Sequence, residues 1–250
     1  MKRELYSLTD EPFAMFVNRV GQVLREGGIP HNIVGGAAVQ GQILKMLTSQ
    51  YGADVHGLTI HPSVRVQDYL RSTDDVDLAL KLEGDDMERI RRINEILPKL
   101  AFEAISPNGE SVIEVRLARV GAHRPTYRVY VDGRGSEEEV IAMNVGRNPA
   151  NGNVRGIDEK WYDEFIRQSQ QIEVPYNGNF HIVMNVPRLE HLIASKIAGS
   201  RGKDLMDIKN LIDLSARSKI KIDTHEISKV LLPAYERNYN RFLSLFNNSH

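Results

Sequence analysis

Two hydrophobic periods divide this chain, and their order constrains its fold more than any other feature. The helical segments, with apolar residues three and four apart, are 11–26, 37–48 and 85–101, and the strand-like segments are 31–34, 75–80, 111–119, 126–132 and 139–145. From Pro187 onward the helical period is the only one left. We therefore predict an α+β fold in which residues 1–186 form a mixed sheet flanked by helices. Residues 187–250 are expected to form a helical region packed on it.

Composition removes several classes of protein. The chain has no cysteine, which excludes disulfides, cysteine-ligated metals and thiol nucleophiles. Its 32 basic and 33 acidic residues give a net charge of −1, so no overall positive field indicates a nucleic-acid binder. The charged N-terminal segment is not of the signal-peptide type, and no apolar run is long enough to span a membrane. We expect a cytoplasmic protein without a membrane partner.

A glycine pair separates the first strand from the second helix. Gly35 and Gly36 follow the apolar run 31–34 and open the helical segment 37–48. Such an arrangement exposes backbone N–H groups at a helix N-terminus, where anions bind. A tight turn that needs glycine geometry explains the pair equally well.

The strongest chemical signal is a pair of carboxylates on a strand. Asp75 and Asp77 are two residues apart, so their side chains project to the same face. Two carboxylates so placed repel each other unless a cation lies between them, and hard oxygen ligands suit Mg²⁺ or Mn²⁺. The alternative is the solvent-facing side of a half-buried strand.

Together these segments resemble the polymerase-β-like nucleotidyltransferase superfamily, most closely the AbiEii type of abortive-infection toxin. The resemblance is carried by Gly35-Gly36 at a helix start and by segment 71–77, RSTDDVD, on a strand. It implies a nucleotidyltransferase-like fold in which Gly35 and Gly36 bind the triphosphate and the D-x-D strand binds Mg²⁺. Arg71 and Thr73 would support that strand or contact the nucleotide.

A second segment, 187–211, is similar to a later signature of the same family. Its charged positions are Lys196, Arg201, Lys203, Asp204 and Asp207. Lys196 is expected to act with Asp75 and Asp77 in catalysis, and Lys196 and Lys203 to bind phosphates or the acceptor. Asp204 would hold one of these cations or contact a sugar hydroxyl. An ordinary pair of salt-bridged helices is the alternative.

Three departures from the family pattern matter. The 38 residues between Gly36 and Asp75 indicate an insertion near 49–70, expected to form a lid or an extra hairpin with a short strand near 58–60. Asn144 lies where a third carboxylate is expected, and Asn cannot act as a base. Glu114 on a neighbouring strand is the possible replacement. Ala142 occupies a place that is often Lys in these relatives.

The resemblance predicts an enzyme that moves an NMP from an NTP to an acceptor. The acceptor would be RNA, perhaps tRNA, or a protein, and the enzyme would be the toxin of a toxin–antitoxin system with an antitoxin partner. Two alternatives stay open. One is a small-molecule nucleotidyltransferase of the antibiotic-modifying kind, and the other is a catalytically lapsed protein of the same fold that binds nucleotide or a partner.

Overall fold

The computed structural model describes residues 6–73, 75–121, 124–135, 140–145, 154 and 156–247. The strands of this part are β1 (His31–Val34), β2 (Asp75–Leu80), β3 (Phe102–Ile105), β4 (Val112–Arg119), β5 (Thr126–Val131), β6 (Val140–Val145), β7 (Gln170–Asn177) and β8 (Phe180–Val186). Its α-helices are α1 (Glu11–Glu26), α2 (Gly35–Tyr51), α3 (Val55–Thr59), α4 (Val66–Tyr69), α5 (Asp86–Ile96), α6 (Tyr162–Arg167), α7 (Leu189–Gly199), α8 (Gly202–Arg217), α9 (Thr224–Val230) and α10 (Glu236–Asn247).

Six strands form a mixed sheet in the order β1-β2-β6-β5-β4-β3. Strands β2 and β6 are parallel, and the other neighbouring strands are antiparallel. A separate antiparallel pair, β7 and β8, packs against α1 and α2. The predicted fold class, an α+β chain with a mixed sheet flanked by helices and a helical C-terminal region, is confirmed.

The two faces of the large sheet have different environments. On β2, Val76, Leu78 and Leu80 are buried in the core, whereas Asp75 and Asp77 project to the opposite face. The core face continues across β5, where the Tyr127 ring packs on Phe16 of α1 and its hydroxyl donates to the carbonyl of Leu97. The alternation that predicted these strands therefore also fixes which side of the sheet carries the carboxylates.

The segment 49–70 differs from the prediction. It completes α2 and then forms the two short helices α3 and α4, so neither the hairpin nor the strand near 58–60 is present. Asp54 caps α3 by accepting a hydrogen bond from the backbone N–H of Gly57 at 2.7 Å. Val55 and Leu58, three residues apart, are both buried. A cap followed by apolar residues at helical spacing stabilises a helix there.

The C-terminal helices pack on α2. Helices α7 and α8 both contact it, and α9 and α10 pack on α7. Asn210 of α8 donates to the carbonyl of Tyr69 at 2.9 Å, which ties α8 to the end of α4. This packing brings α7 and α8 towards the first turn of α2. Among the described helices, none has the length and apolarity needed to cross a membrane.

Candidate active site

The carboxylate face of β2 meets the start of α2. Strands β1 and β2 pair so that Val34 lies opposite Asp77, and the chain turns from Val34 directly into Gly35. Gly35 has φ +68°, and a Cβ there would overlap the Asp77 carboxylate. Gly35 therefore needs to be glycine for both its backbone conformation and this close approach.

Gly36 allows a second close approach. A Cβ at Gly36 would lie 2.9 Å from Thr73 Oγ1 and 3.3 Å from an Arg71 guanidinium nitrogen. Thr73 is buried, and its hydroxyl lies 3.3 Å from the backbone carbonyl of Asp75. The structure thus brings Gly35, Gly36, Arg71 and Thr73 together beside the two carboxylates.

Asn144 lies directly beside Asp77. In the parallel pairing of β2 and β6, Asp77 is opposite Asn144 and Asp75 is opposite Ala142. The Asn144 amide is close enough to the Asp77 carboxylate to lower its pKa through hydrogen bonding. An uncharged amide therefore occupies the position on the adjoining strand where the family resemblance implies a third carboxylate.

Glu114 lies elsewhere on the sheet. Its strand, β4, is three strands from β2, which is about 14 Å. The Glu114 carboxylate binds the guanidinium of Arg116 instead. The possibility that Glu114 replaces the third carboxylate is therefore wrong.

Asp77 is a partly buried acid whose pKa is well above the ordinary value for aspartate. Burial raises its pKa to about 6, and the neighbouring charge of Asp75 contributes to the increase. The hydrogen bond from Asn144 and the charges of Lys196 and Arg124 act in the opposite direction. A cation bound between the two carboxylates would relieve their repulsion.

A buried ion network lies beside the carboxylates. Lys196 of α7 is only 4% exposed, and its ammonium lies 2.7 Å from Asp207 of α8. The guanidinium of Arg71 donates to both oxygens of the same Asp207 carboxylate, at 3.2 and 3.1 Å. Asp207 therefore holds two cations that come from different parts of the chain.

Asp204 fixes the start of α8. Arg201 donates to both of its oxygens, at 2.7 and 3.1 Å, and Lys196 lies 3.8 Å away. Burial raises the pKa of Asp204, but the hydrogen bonds from Arg201 and the charge of Lys196 outweigh burial and lower it. Lys203, by contrast, is exposed and makes no ion pair with a described residue.

Two further residues belong to this site. The Arg124 guanidinium lies 3.5 Å from Asp75. Nothing in the sequence around Arg124 indicates that contact, because it depends on the register of β5 and β6. Asp207 is one of the charged positions of the segment 187–211. Its role as the shared partner of Lys196 and Arg71, however, follows only from the packing of α8.

The donor set fits one kind of metal site. Within the described residues, no group of three Asp, Glu, His or Cys side chains is arranged to hold an ion. Magnesium commonly uses one or two carboxylates together with water and substrate phosphates rather than an all-protein cage. Asp75 and Asp77, on one face and beside a helix N-terminus, match that pattern.

The raised pKa of Asp77 predicts a specific dependence of stability on pH. The folded protein keeps a proton that the unfolded chain releases at pH about 3.8, so folding stability falls as pH rises from about 4 to 6. The penalty above pH 6 is about 3 kcal/mol. In EDTA at pH 7.5, Asp77→Asn should therefore be more stable than wild type by about 2–3 kcal/mol in urea unfolding.

At pH 4 the same comparison should give nearly equal stabilities. Asp163→Asn is the control, because the Asp163 side chain is 74% exposed and should show neither effect. If the difference between Asp77→Asn and wild type were independent of pH, the assignment of Asp77 as a partly buried carboxylate repelled by Asp75 would be contradicted.

Comparisons with known proteins add little to this site. No protein-family model matches the sequence, and no curated protein matches it. One solved structure to which the fold is similar is MenT4, a nucleotidyltransferase toxin from Mycobacterium tuberculosis H37Rv. The identity is 13%, the match covers 84% of this chain and 82% of the other, and the TM-score is 0.33.

Proposed function

We propose that this protein is a Mg²⁺-dependent nucleotidyltransferase that moves an NMP from an NTP to an acceptor. One observation carries the proposal: the glycine start of α2 and the carboxylate pair of β2 adjoin so closely that Gly35 has no room for a side chain beside Asp77. A phosphate-binding helix start and a carboxylate pair suited to a divalent cation are then parts of one site.

Each group has a defined task in this proposal. The first N–H groups of the 17-residue helix α2 bind the phosphates of the NTP. Asp75 and Asp77 hold Mg²⁺ or Mn²⁺, which when bound neutralises phosphate charge as the α-phosphate is attacked and pyrophosphate leaves. Lys196 supplies positive charge beside Asp77, and Asp207 fixes the position of Lys196. Lys203 is available to phosphate from the exposed start of α8.

The proposed acceptor is RNA, perhaps tRNA, with a protein as the alternative, and the proposed biological role is that of a toxin with an antitoxin partner. This part rests on the sequence resemblance to AbiEii-type toxins. The test is incubation with each NTP labelled at the α-phosphate, Mg²⁺ and total RNA, followed by gel electrophoresis and intact-mass analysis. Label that enters RNA in a Mg²⁺-dependent manner is the expected result.

A second candidate is a lapsed enzyme that only binds nucleotide, and Asn144 favours it. An amide beside Asp77 adds no charge for a second cation and cannot take a proton from the acceptor. Nucleotide binding without transfer to RNA, protein or small molecules would support this candidate. Transfer to an aminoglycoside or lincosamide instead of RNA would support a small-molecule enzyme.

Replacing Asn144 should show how many charges the site tolerates. Asn144→Asp places a third carboxylate beside Asp77, so it should lower stability in EDTA and increase Mg²⁺ affinity and the rate of transfer. Base assistance contributes on the order of a hundredfold or more in rate. Thermal unfolding is measured in EDTA and at increasing Mg²⁺ concentrations, which gives stability and Mg²⁺ affinity. The rate of nucleotidyl transfer is measured in parallel.

The matched control is Glu114→Gln on β4. Because Glu114 is about 14 Å from β2 and binds Arg116, its replacement should leave Mg²⁺ affinity unchanged. If Glu114→Gln abolished Mg²⁺ binding while Asn144→Asp had no effect on it, the site would be wrongly placed.

A further inference from the structure

The carboxylate face of the sheet continues away from the site as a surface rich in arginine. Pairing puts Thr126 of β5 opposite Ala142, and Ala142 opposite Asp75, so all three share one face. Two residues along β5, Arg128 lies on that same face and opposite Arg116 of β4. Strand β5 is two strand spacings, about 10 Å, from the carboxylate strand.

This part of the chain carries a strong local charge. Residues 112–134 contain five arginines, no lysine and two acidic residues, a net charge of 5 − 2 = +3, in a chain whose total is −1. Arginine binds phosphate through two parallel N–H groups, which lysine cannot do. The composition of residues 112–134 therefore favours a partner that carries phosphate groups.

Two of these arginines are paired unfavourably within the fold. Arg116 and Arg128 are directly opposite each other on antiparallel strands, and like charges at such positions destabilise a sheet. Glu114 balances Arg116, with a smaller contribution from Glu103 of β3, whereas the Arg128 side chain makes no ion pair or hydrogen bond with a described residue. An anion bound between the two strands would balance the remaining charge.

Arg116 is held in place while most of it stays open to solvent. Its guanidinium lies 4.7 Å from the centre of the Tyr130 ring and binds both oxygens of Glu114. The side chain is nevertheless 61% exposed. Fixing a guanidinium this way reduces the conformational entropy lost when it binds a phosphate.

We propose that the face of β4 and β5 that carries Arg116 and Arg128 binds the phosphate backbone of a single-stranded nucleic acid, with these two arginines as its main contacts. The end of the bound nucleic-acid chain would then lie at Asp75 and Asp77. Because this names the acceptor of the transfer proposed above, it rests on that function. Phosphate contacts give affinity without sequence preference, so sequence selection must come from elsewhere.

The test measures binding by itself, without transfer. A short, 5′-labelled single-stranded RNA of mixed sequence is titrated with protein in EDTA and without NTP, and its fluorescence anisotropy is followed at several salt concentrations. The variants are Arg116→Gln/Arg128→Gln and the control Arg91→Gln/Arg92→Gln. The control arginines are on α5, which packs on the core face of the sheet through Ile93 and Ile96.

Wild type and the α5 control should bind the RNA alike, whereas the β4–β5 variant should bind at least about tenfold more weakly. The slope of log Kd against log salt should fall by about 1.4 for two lost phosphate contacts on a single strand. Equal binding by both double variants, or no binding by wild type, would overturn the proposed surface. RNA binding lost only in the β4–β5 variant, in a protein that transfers no nucleotide, would support the surface and contradict the proposed enzyme.

Discussion

Asp75→Ala and Asp77→Ala should each abolish nucleotidyl transfer while leaving the protein folded. The two carboxylates are the described groups best placed to hold the divalent cation, and losing a ligand to a catalytic cation removes several kcal/mol of transition-state stabilisation. The rate should fall by on the order of a thousandfold or more. The melting temperature should be unchanged or higher, because each replacement relieves the repulsion that raises the pKa of Asp77.

The measurement is incorporation of labelled NMP with Mg²⁺ present, together with thermal unfolding in EDTA. Asp163→Ala is the control, because Asp163 is exposed and pairs with Lys81, outside the site. Full activity in either site variant would show that the carboxylates are not catalytic. Unfolding of both variants would show that they are structural.

Among the proposed substitutions, Asp207→Leu should cause the largest loss of folding stability. It leaves Lys196 and Arg71 without the carboxylate that binds both, and Lys196 is almost fully buried. Removing one partner of a buried ion pair destabilises a protein by about 3–5 kcal/mol. In a chain of this size that lowers the melting temperature by on the order of 10 °C. Asp213→Leu on the same helix is the control, because Asp213 makes no ion pair with a described residue.

Lys196→Met should be milder, because Asp207 keeps both hydrogen bonds from Arg71. Its main effect should be weaker NTP binding. The double variant Lys196→Met/Asp207→Leu should recover part of the stability lost in Asp207→Leu, since it removes a buried ammonium that has lost its hydrogen bond to Asp207. Losses that simply add in the double variant would show that the two residues are not coupled.

Local pattern predicted the parts of the fold that surround the site. Strand β2 and the helix start at Gly35 follow from a two-residue period and a glycine pair, whereas the position of Asn144 beside Asp77 was implied by the family resemblance. Strand β7 was missed although Ile172, Val174 and Tyr176 alternate, because Pro175 interrupts it. A proline is tolerated there because β7 pairs on one side only, with β8.

The long-range part of the site could not be predicted. That Asp207 holds both Lys196 and Arg71 depends on how α8 packs against the chain preceding β2, 136 residues earlier in sequence. The rejection of Glu114 depends on strand order, since a different order of the same strands could have placed β4 beside β2. Periodicity identifies which face a side chain occupies, but the strands that become neighbours are chosen by the whole core.

The central claim is that Asp75 and Asp77 hold the divalent cation, and its most direct test is a titration with Mn²⁺ in place of Mg²⁺. The EPR signal of the free ion reports how much Mn²⁺ is unbound, in the presence and absence of an NTP. Wild type should bind Mn²⁺ more tightly when NTP is present, because the proposed site completes the coordination with phosphate oxygens. Asp75→Asn/Asp77→Asn should lose that NTP-dependent binding, while Glu114→Gln should retain it. Equal binding of Mn²⁺ and NTP by wild type and by the double variant would contradict the assignment of Asp75 and Asp77 as the cation site.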